Sequence, residues 1–257
     1  MKKILFAVAL AVVATACSNI DEHNAQLEGF GKIAIEATTR NEVSESDSAE
    51  GRFSLQNWVT IPSAEELKVE ISGNNTTRTW STLAEFNAEN DTSNSGENSL
   101  LFPAVSHTVT LSHGEKGVEG WSKPYFEGSA TVDVPMYELV AEAQVEVILA
   151  NAIVAIETTD NFNGYFPQST FKVNGIDWDS TKHALLFMNA GEVTIACKAV
   201  RQTDKTTDLE SKVVLKPTTR HSIRFDLSTA GNAVVNVTLD NEIVETIELE
   251  FELNENA

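Results

Sequence analysis

The chain has 257 residues, 42% of them hydrophobic, with 18 Lys and Arg against 38 Asp and Glu and a formal net charge of −20. That length and apolar share suffice for a packed core in one large domain or two medium ones. So acidic a chain is repelled by phosphates, which sets aside nucleic acid and anionic lipid as partners.

Lys2-Lys3, the apolar run from Ile4 to Val13 and the small residues Ala14-Thr15-Ala16 have the order of a secretory signal over residues 1–16. The run is shorter than the ~20 residues a membrane-spanning helix takes. A small-residue triplet ending at Cys17 is the pattern of a bacterial lipoprotein signal, with the Cys17 thiol carrying the lipid. The same triplet suits ordinary signal peptidase, which would leave a secreted chain with a free cysteine at its start. Removing the signal takes two of the basic residues and none of the acidic ones, so the mature chain carries −22. Residues 17–28 are polar and read as a tether, lipidated at its first residue.

From there the pattern is one of strands. Phe30 to Thr38 alternates, the Asn, Ser, Asp and Glu run from Asn41 to Gly51 reads as an exposed loop, and Phe53 to Ile61 and Leu67 to Ile71 read as strands. Thr82 and Glu85 have capping-box spacing for one helical turn. Asn87 to Ser99 is a second polar loop, followed by alternation over Val105 to Leu111 and Ser129 to Val134, with Pro135 marking a bend or an edge. Val140 to Thr158 is a β-rich run too long for one strand, and Asn151 within it places a domain boundary near residue 150.

Beyond that point, Asn174-Gly175 predicts a two-residue hairpin turn. It pairs Val173 with Ile176, Lys172 with Asp177 and Phe171 with Trp178, an aromatic pair on one face and opposite charges on the other. Strands follow at His183–Met188, Glu192–Val200, Ser211–Leu215, His221–Leu227, Ala233–Leu239 and Glu242–Phe251. Short strands at regular spacing, with no helical periodicity of useful length, predict an all-β protein. The expected plan is two tandem β-sandwiches of transthyretin or immunoglobulin type, residues 29–150 and 151–257.

Catalytic signatures are scarce. His107 and His113 share a strand six residues apart, which at ~3.3 Å per residue separates them by ~20 Å, too far for one metal. His183 and His221 stand alone, and no zinc-binding or nucleophile-elbow motif occurs. Asp91 to Gly96 has the oxygen spacing of a calcium loop, but Phe102 stands where the bidentate Glu belongs. Cys197 lies in an apolar strand and reads as a buried small hydrophobe. No catalytic residue, metal or cofactor is expected. The stretch Glu119 to Gly128 groups Trp121, Tyr125 and Phe126, three aromatics that either stack on sugar rings or plug the end of the core.

His113-Gly114, Pro124 to Ser129, Leu149-Ala150-Asn151, Asp160-Asn161-Phe162 and Tyr165-Phe166, in that order, resemble a family of Bacteroidetes lipoproteins known as domain of unknown function 4493. The resemblance runs from about Gly29 to the C-terminus. It implies a signal peptide, a lipidated Cys17 and a β-sandwich body, and it assigns no catalytic residue. In plan the chain is also similar to fimbrillin-like proteins, whose two transthyretin-like sandwiches build surface fimbriae. In those pilins a trypsin-like protease cuts after an Arg behind the first strand, and a neighbour's strand fills the groove so opened. By that analogy Arg40, at the end of Thr38-Thr39-Arg40, is the processing site; Thr-Thr-Arg recurs at 218–220. Asp21-Glu22 resembles the acidic mark that sends such lipoproteins to the outer face of the outer membrane. The expectation is a non-enzymatic cell-surface lipoprotein, an adhesin or fimbria-associated structural subunit, whose partners are the outer membrane and other fimbrial subunits. The alternative is a glycan-binding lipoprotein for polysaccharide capture, stacking surface glycans on Trp121, Tyr125 and Phe126.

Overall fold

The computed structural model describes residues 29–46, 51–90, 100–137, 139–228 and 234–249. Cys17 and the rest of residues 1–28 lie outside this range, as does the calcium-like loop Asp91 to Gly96. The described chain is all-β. Its strands are, in order, β1 (Phe30–Thr39), β2 (Glu42–Glu45), β3 (Arg52–Ser54), β4 (Lys68–Gly73), β5 (Thr76–Trp80) and β6 (Phe102–Pro103). β7 (Ser106–His113), β8 (Gly120–Trp121), β9 (Phe126–Asp133), β10 (Val140–Leu149), β11 (Ala152–Thr158) and β12 (Gln168–Val173) follow. The last are β13 (Ile176–Trp178), β14 (Leu186–Met188), β15 (Gly191–Val200), β16 (Thr206–Leu215), β17 (Thr219–Ser228), β18 (Val234–Leu239) and β19 (Glu242–Glu248). Two short α-helices, Leu83–Glu89 and Asp160–Tyr165, and one 3-10 turn, Ala64–Glu66, join them.

The chain divides into two compact units, one holding residues up to Thr39 with Pro62–His113 and Glu127–Val147, the other Arg40–Ile61, Gly114–Phe126 and Ile148 onward. The long β-rich run breaks at Ala150-Asn151, between β10 and β11. The segments 40–61 and 114–126 count with the second unit because β2 and β8 pair there, with β17 and β14.

The first unit is a seven-stranded sheet in the order β5-β4-β7-β9-β10-β1-β6. β7 shows why it forms: His107, Val109 and Leu111 face inward at every second position while the residues between stay partly open. Helix Leu83–Glu89 closes on this core with Leu83 and Phe86. The Thr82 hydroxyl accepts from the Glu85 amide at 3.1 Å, as the capping spacing predicts, but the Glu85 carboxylate reaches back to Ser81 N at 3.0 Å. Trp80 meets Phe86 edge-on at 5.0 Å and donates its indole N–H to Glu89 at 2.8 Å.

The second unit sets an eight-stranded sheet, β19-β18-β17-β11-β14-β8 with β2 and β3 attached, beside a four-stranded sheet β13-β12-β15-β16. Both sheets bury alternate residues in one core: Val193, Ile195, Cys197 and Ala199 from β15, and Ile223, Phe225 and Leu227 from β17. Phe162, from helix Asp160–Tyr165, sits among Phe166, Phe171 and Phe225 with ring centroids 5.1 to 6.3 Å away. The Asn174-Gly175 hairpin has the register read from sequence, all three pairs included. Both turn residues take positive φ, 46° and 81°, which glycine adopts without steric cost.

Some expectations need correction. Phe53 to Ile61 is not one strand: after Ser54 the chain turns, with Trp58 and Val59 amides donating to Leu55 O, because Leu55 buries fully and Pro62 blocks further pairing. Only Leu186–Met188 of the expected strand from His183 pairs. Conversely, β2 forms inside the polar run from Asn41, held parallel to β17 and antiparallel to β3 by backbone bonds that need no apolar alternation.

Candidate functional site

Trp121, Tyr125 and Phe126 all count with the second unit, though Phe126 also opens β9. Trp121 ends β8, opposite Leu186, and is half-buried against the core. Its indole N–H donates to Asp177 O at 3.1 Å, Trp178 lies 5.2 Å away at 37°, and the Lys182 ammonium sits over the ring at 4.9 Å. Glu119 clamps the same corner, accepting from Asn189 N at 2.9 Å and Asn174 Nδ2 at 3.3 Å. Tyr125 is 7% exposed and Phe126 fully enclosed. The amide of Tyr125 donates to Asn151 Oδ1 at 2.6 Å and its carbonyl accepts from Ala150 N at 2.8 Å. The three rings therefore form no common platform: two plug the core and one is partly open. Trp178 joins Trp121 instead, a pairing the hairpin register could not reveal because it joins segments 57 residues apart.

Arg40 follows β1 directly and is exposed. β1 pairs in parallel with β10 from Lys32 to Thr39, whereas on its other side only Phe30 and Gly31 pair, with β6. Beyond these two the described residues place no further strand there; the Asn90 side chain donates to Ile33 O at 2.6 Å instead. The other Thr-Thr-Arg ends differently. Arg220 lies within β17 between β11 and β2, bonded to Glu45 at 3.3 Å with its guanidinium over Phe53 at 5.1 Å. A protease needs an accessible segment, and of the two sites Arg40 is the exposed one that lies outside a strand, between β1 and β2.

The remaining chemistry is structural. His221 is 1% exposed; its Nε2 accepts from Lys216 N at 2.9 Å, so its Nδ1–H donates to Asp240 at 2.7 Å. His107 is buried, with Nε2–H donating to Pro103 O at 2.9 Å and Phe102 edge-on at 5.8 Å. His113 and His183 are exposed. Burial, and then the charge of Asp208, pushes the Cys197 thiol up to about 12, so it is no nucleophile at neutral pH. Above it, the outer face of β12, β15 and β16 dips over the small Ala196 into a depression of about 340 Å³ with Lys172, Lys198, Asp208 and Glu210 around it. Among the described residues no three His, Cys, Asp or Glu come together as metal ligands. None of their helices is long and apolar enough to cross a membrane.

No curated protein matches the chain in sequence. Among solved structures it is similar to a putative polysaccharide binding protein (DUF1812) from Bacteroides thetaiotaomicron, at TM-score 0.41 and 8% identity over 86% of this chain and 98% of that one. A putative cell adhesion protein from Bacteroides eggerthii gives 0.38 and 8%, over 86% and 97%. A fimbrial protein from Bacteroides ovatus gives 0.31 and 10%, over 77% and 48%. The family model for the domain of unknown function DUF4493 matches residues 29–255, a span that takes in every described residue. The chain belongs to the DUF4493 family.

Proposed function

We propose that this protein is a non-enzymatic, cell-surface lipoprotein of the adhesive or fimbria-associated kind, held to the outer membrane through Cys17. The observation that carries the reading is the arrangement of β1. It follows a lipoprotein-type signal, pairs along its length on one side with β10, and ends at the exposed Arg40. A cut there would release the anchored segment together with a strand and leave the β10 edge open, and an open edge invites a strand from another subunit. Limited trypsin treatment tests it. Cleavage confined to Arg40, followed by oligomers, is the expected result; scattered digestion with persistent monomers contradicts it.

Glycan capture is the second reading, and the half-exposed Trp121 with Trp178 beside it is the feature that favours it. With Tyr125 and Phe126 enclosed, it depends on that one pair. Glycan-array binding that disappears in Trp121→Ala would support it.

A further inference from the structure

Ten large apolar side chains are exposed among the described residues, and six of them gather at one end of the first unit: Phe30, Val105, Met136, Tyr137, Leu139 and Val140, each between 38 and 59% exposed. Their backbones bring them together. Lys32 N donates to Leu139 O at 2.8 Å, Ala104 N to Gly29 O at 2.8 Å, Val134 N to Val105 O at 3.1 Å, and Phe30 pairs with Pro103. Gly31 makes this closeness possible, because a Cβ there would run into Pro135 O and the Val134 side chain. Scattered exposed apolar residues need no explanation, but a cluster on adjoining segments does.

We infer that this end is a lipid-contacting tip, entering the interface of a zwitterionic membrane as a second attachment beside the acyl chains. The inference rests on the proposed anchor at Cys17. β1 starts here, so only eleven residues lie between Cys17 and Gly29, and even fully extended that link spans about 40 Å. This end is thus the part of the first unit the anchor keeps nearest the bilayer. Interfacial binding grows with the apolar area buried, so an apolar patch on the same molecule adds to the hold of the acyl chains. The carbonyls and amides named above already bond to one another, so the tip can leave water without carrying those groups unpaired. Tyr137, 59% exposed, holds φ 62°, a strained conformation for a bulky residue, and tyrosine favours the boundary between water and lipid. The acidic chain selects neutral headgroups over anionic ones.

The test uses the full protein purified from the membranes of producing cells, with a polarity-sensitive fluorophore on Met136→Cys, reconstituted in phosphatidylcholine–phosphatidylethanolamine vesicles. Mass spectrometry of the N-terminal residue in the same preparation scores the anchor separately. A blue shift on reconstitution, absent from the same label on Val214→Cys and lost in Tyr137→Ser/Leu139→Ser, is the expected result. An acylated protein with no shift overturns the tip and leaves the anchored lipoprotein standing. If Cys17 carries no lipid, the anchored reading falls, and the tip is judged by adding the vesicles to a Cys17→Ser chain. There the double variant must bind at least about tenfold more weakly, the scale of one large side chain withdrawn from water; no binding by the parent overturns the tip. A label already shielded before vesicles are added also overturns it, with sedimentation telling a second copy from coverage by residues 18–28.

Discussion

Asn151 shows how much one side chain can settle. It is 2% exposed, its amide oxygen accepts from the Tyr125 amide, and its carbonyl accepts from Thr218 N at 2.9 Å. Asn151→Ala should cost about 2 kcal/mol in urea unfolding, since it strands a buried N–H as well as losing a bond. The Cys197 thiol makes a second, pH-dependent case. Held up to about 12 from an ordinary 9.0, it stays protonated in the folded chain while the unfolded chain loses its proton. Its contribution is therefore full below pH 9 and falls as pH rises from about 9 towards 12, by at most ~1.4 kcal/mol per unit. Comparing urea midpoints of the parent and Cys197→Ala at pH 8 and pH 10.5 checks it: the parent should lose more stability between the two. The burial of Cys197 was legible, because its neighbours alternate in a strand pattern. That of Tyr125 was one of two alternatives left open, because its place depends on a bond to Asn151, 26 residues away.

At the level of elements, the hairpin was readable to the residue and the stretch after Phe53 was not. Asn174-Gly175 fixes its own turn, and two residues of loop leave one register that agrees with the side chains. Gly175→Val places a β-branched residue at φ 81° and should lower stability by 1 to 2 kcal/mol, as roughly judged from the strain of such conformations and read by thermal unfolding. β2 and β8 gave no such signal. They are four and two residues long and exist because partner strands from far along the chain accept their backbone groups. β1 was legible as a strand, yet its one-sided pairing depends on β10, more than a hundred residues away, and on the Asn90 side chain at Ile33 O. Asn90→Ala should loosen β1 before anything else, speeding amide exchange at residues 32–39 while leaving the second unit's exchange unchanged.

For the whole molecule, the sequence carried the all-β class, the family and the extracytoplasmic expectation, because alternation, turn residues and a signal pattern are local properties. What it could not carry was the route of the chain, which passes twice into the second unit before β10 ends. Nor could it show that the aromatics of one stretch part company, Trp121 to the surface and Tyr125 and Phe126 to the core. The proposed role depends less on any pocket than on how the body is tethered and how its first strand is held. Mass spectrometry of the native protein's first residue, taken from the membrane fraction, tests that most directly. The account predicts a chain beginning at Cys17 with acyl groups on that residue; a soluble chain with a free thiol there would contradict it.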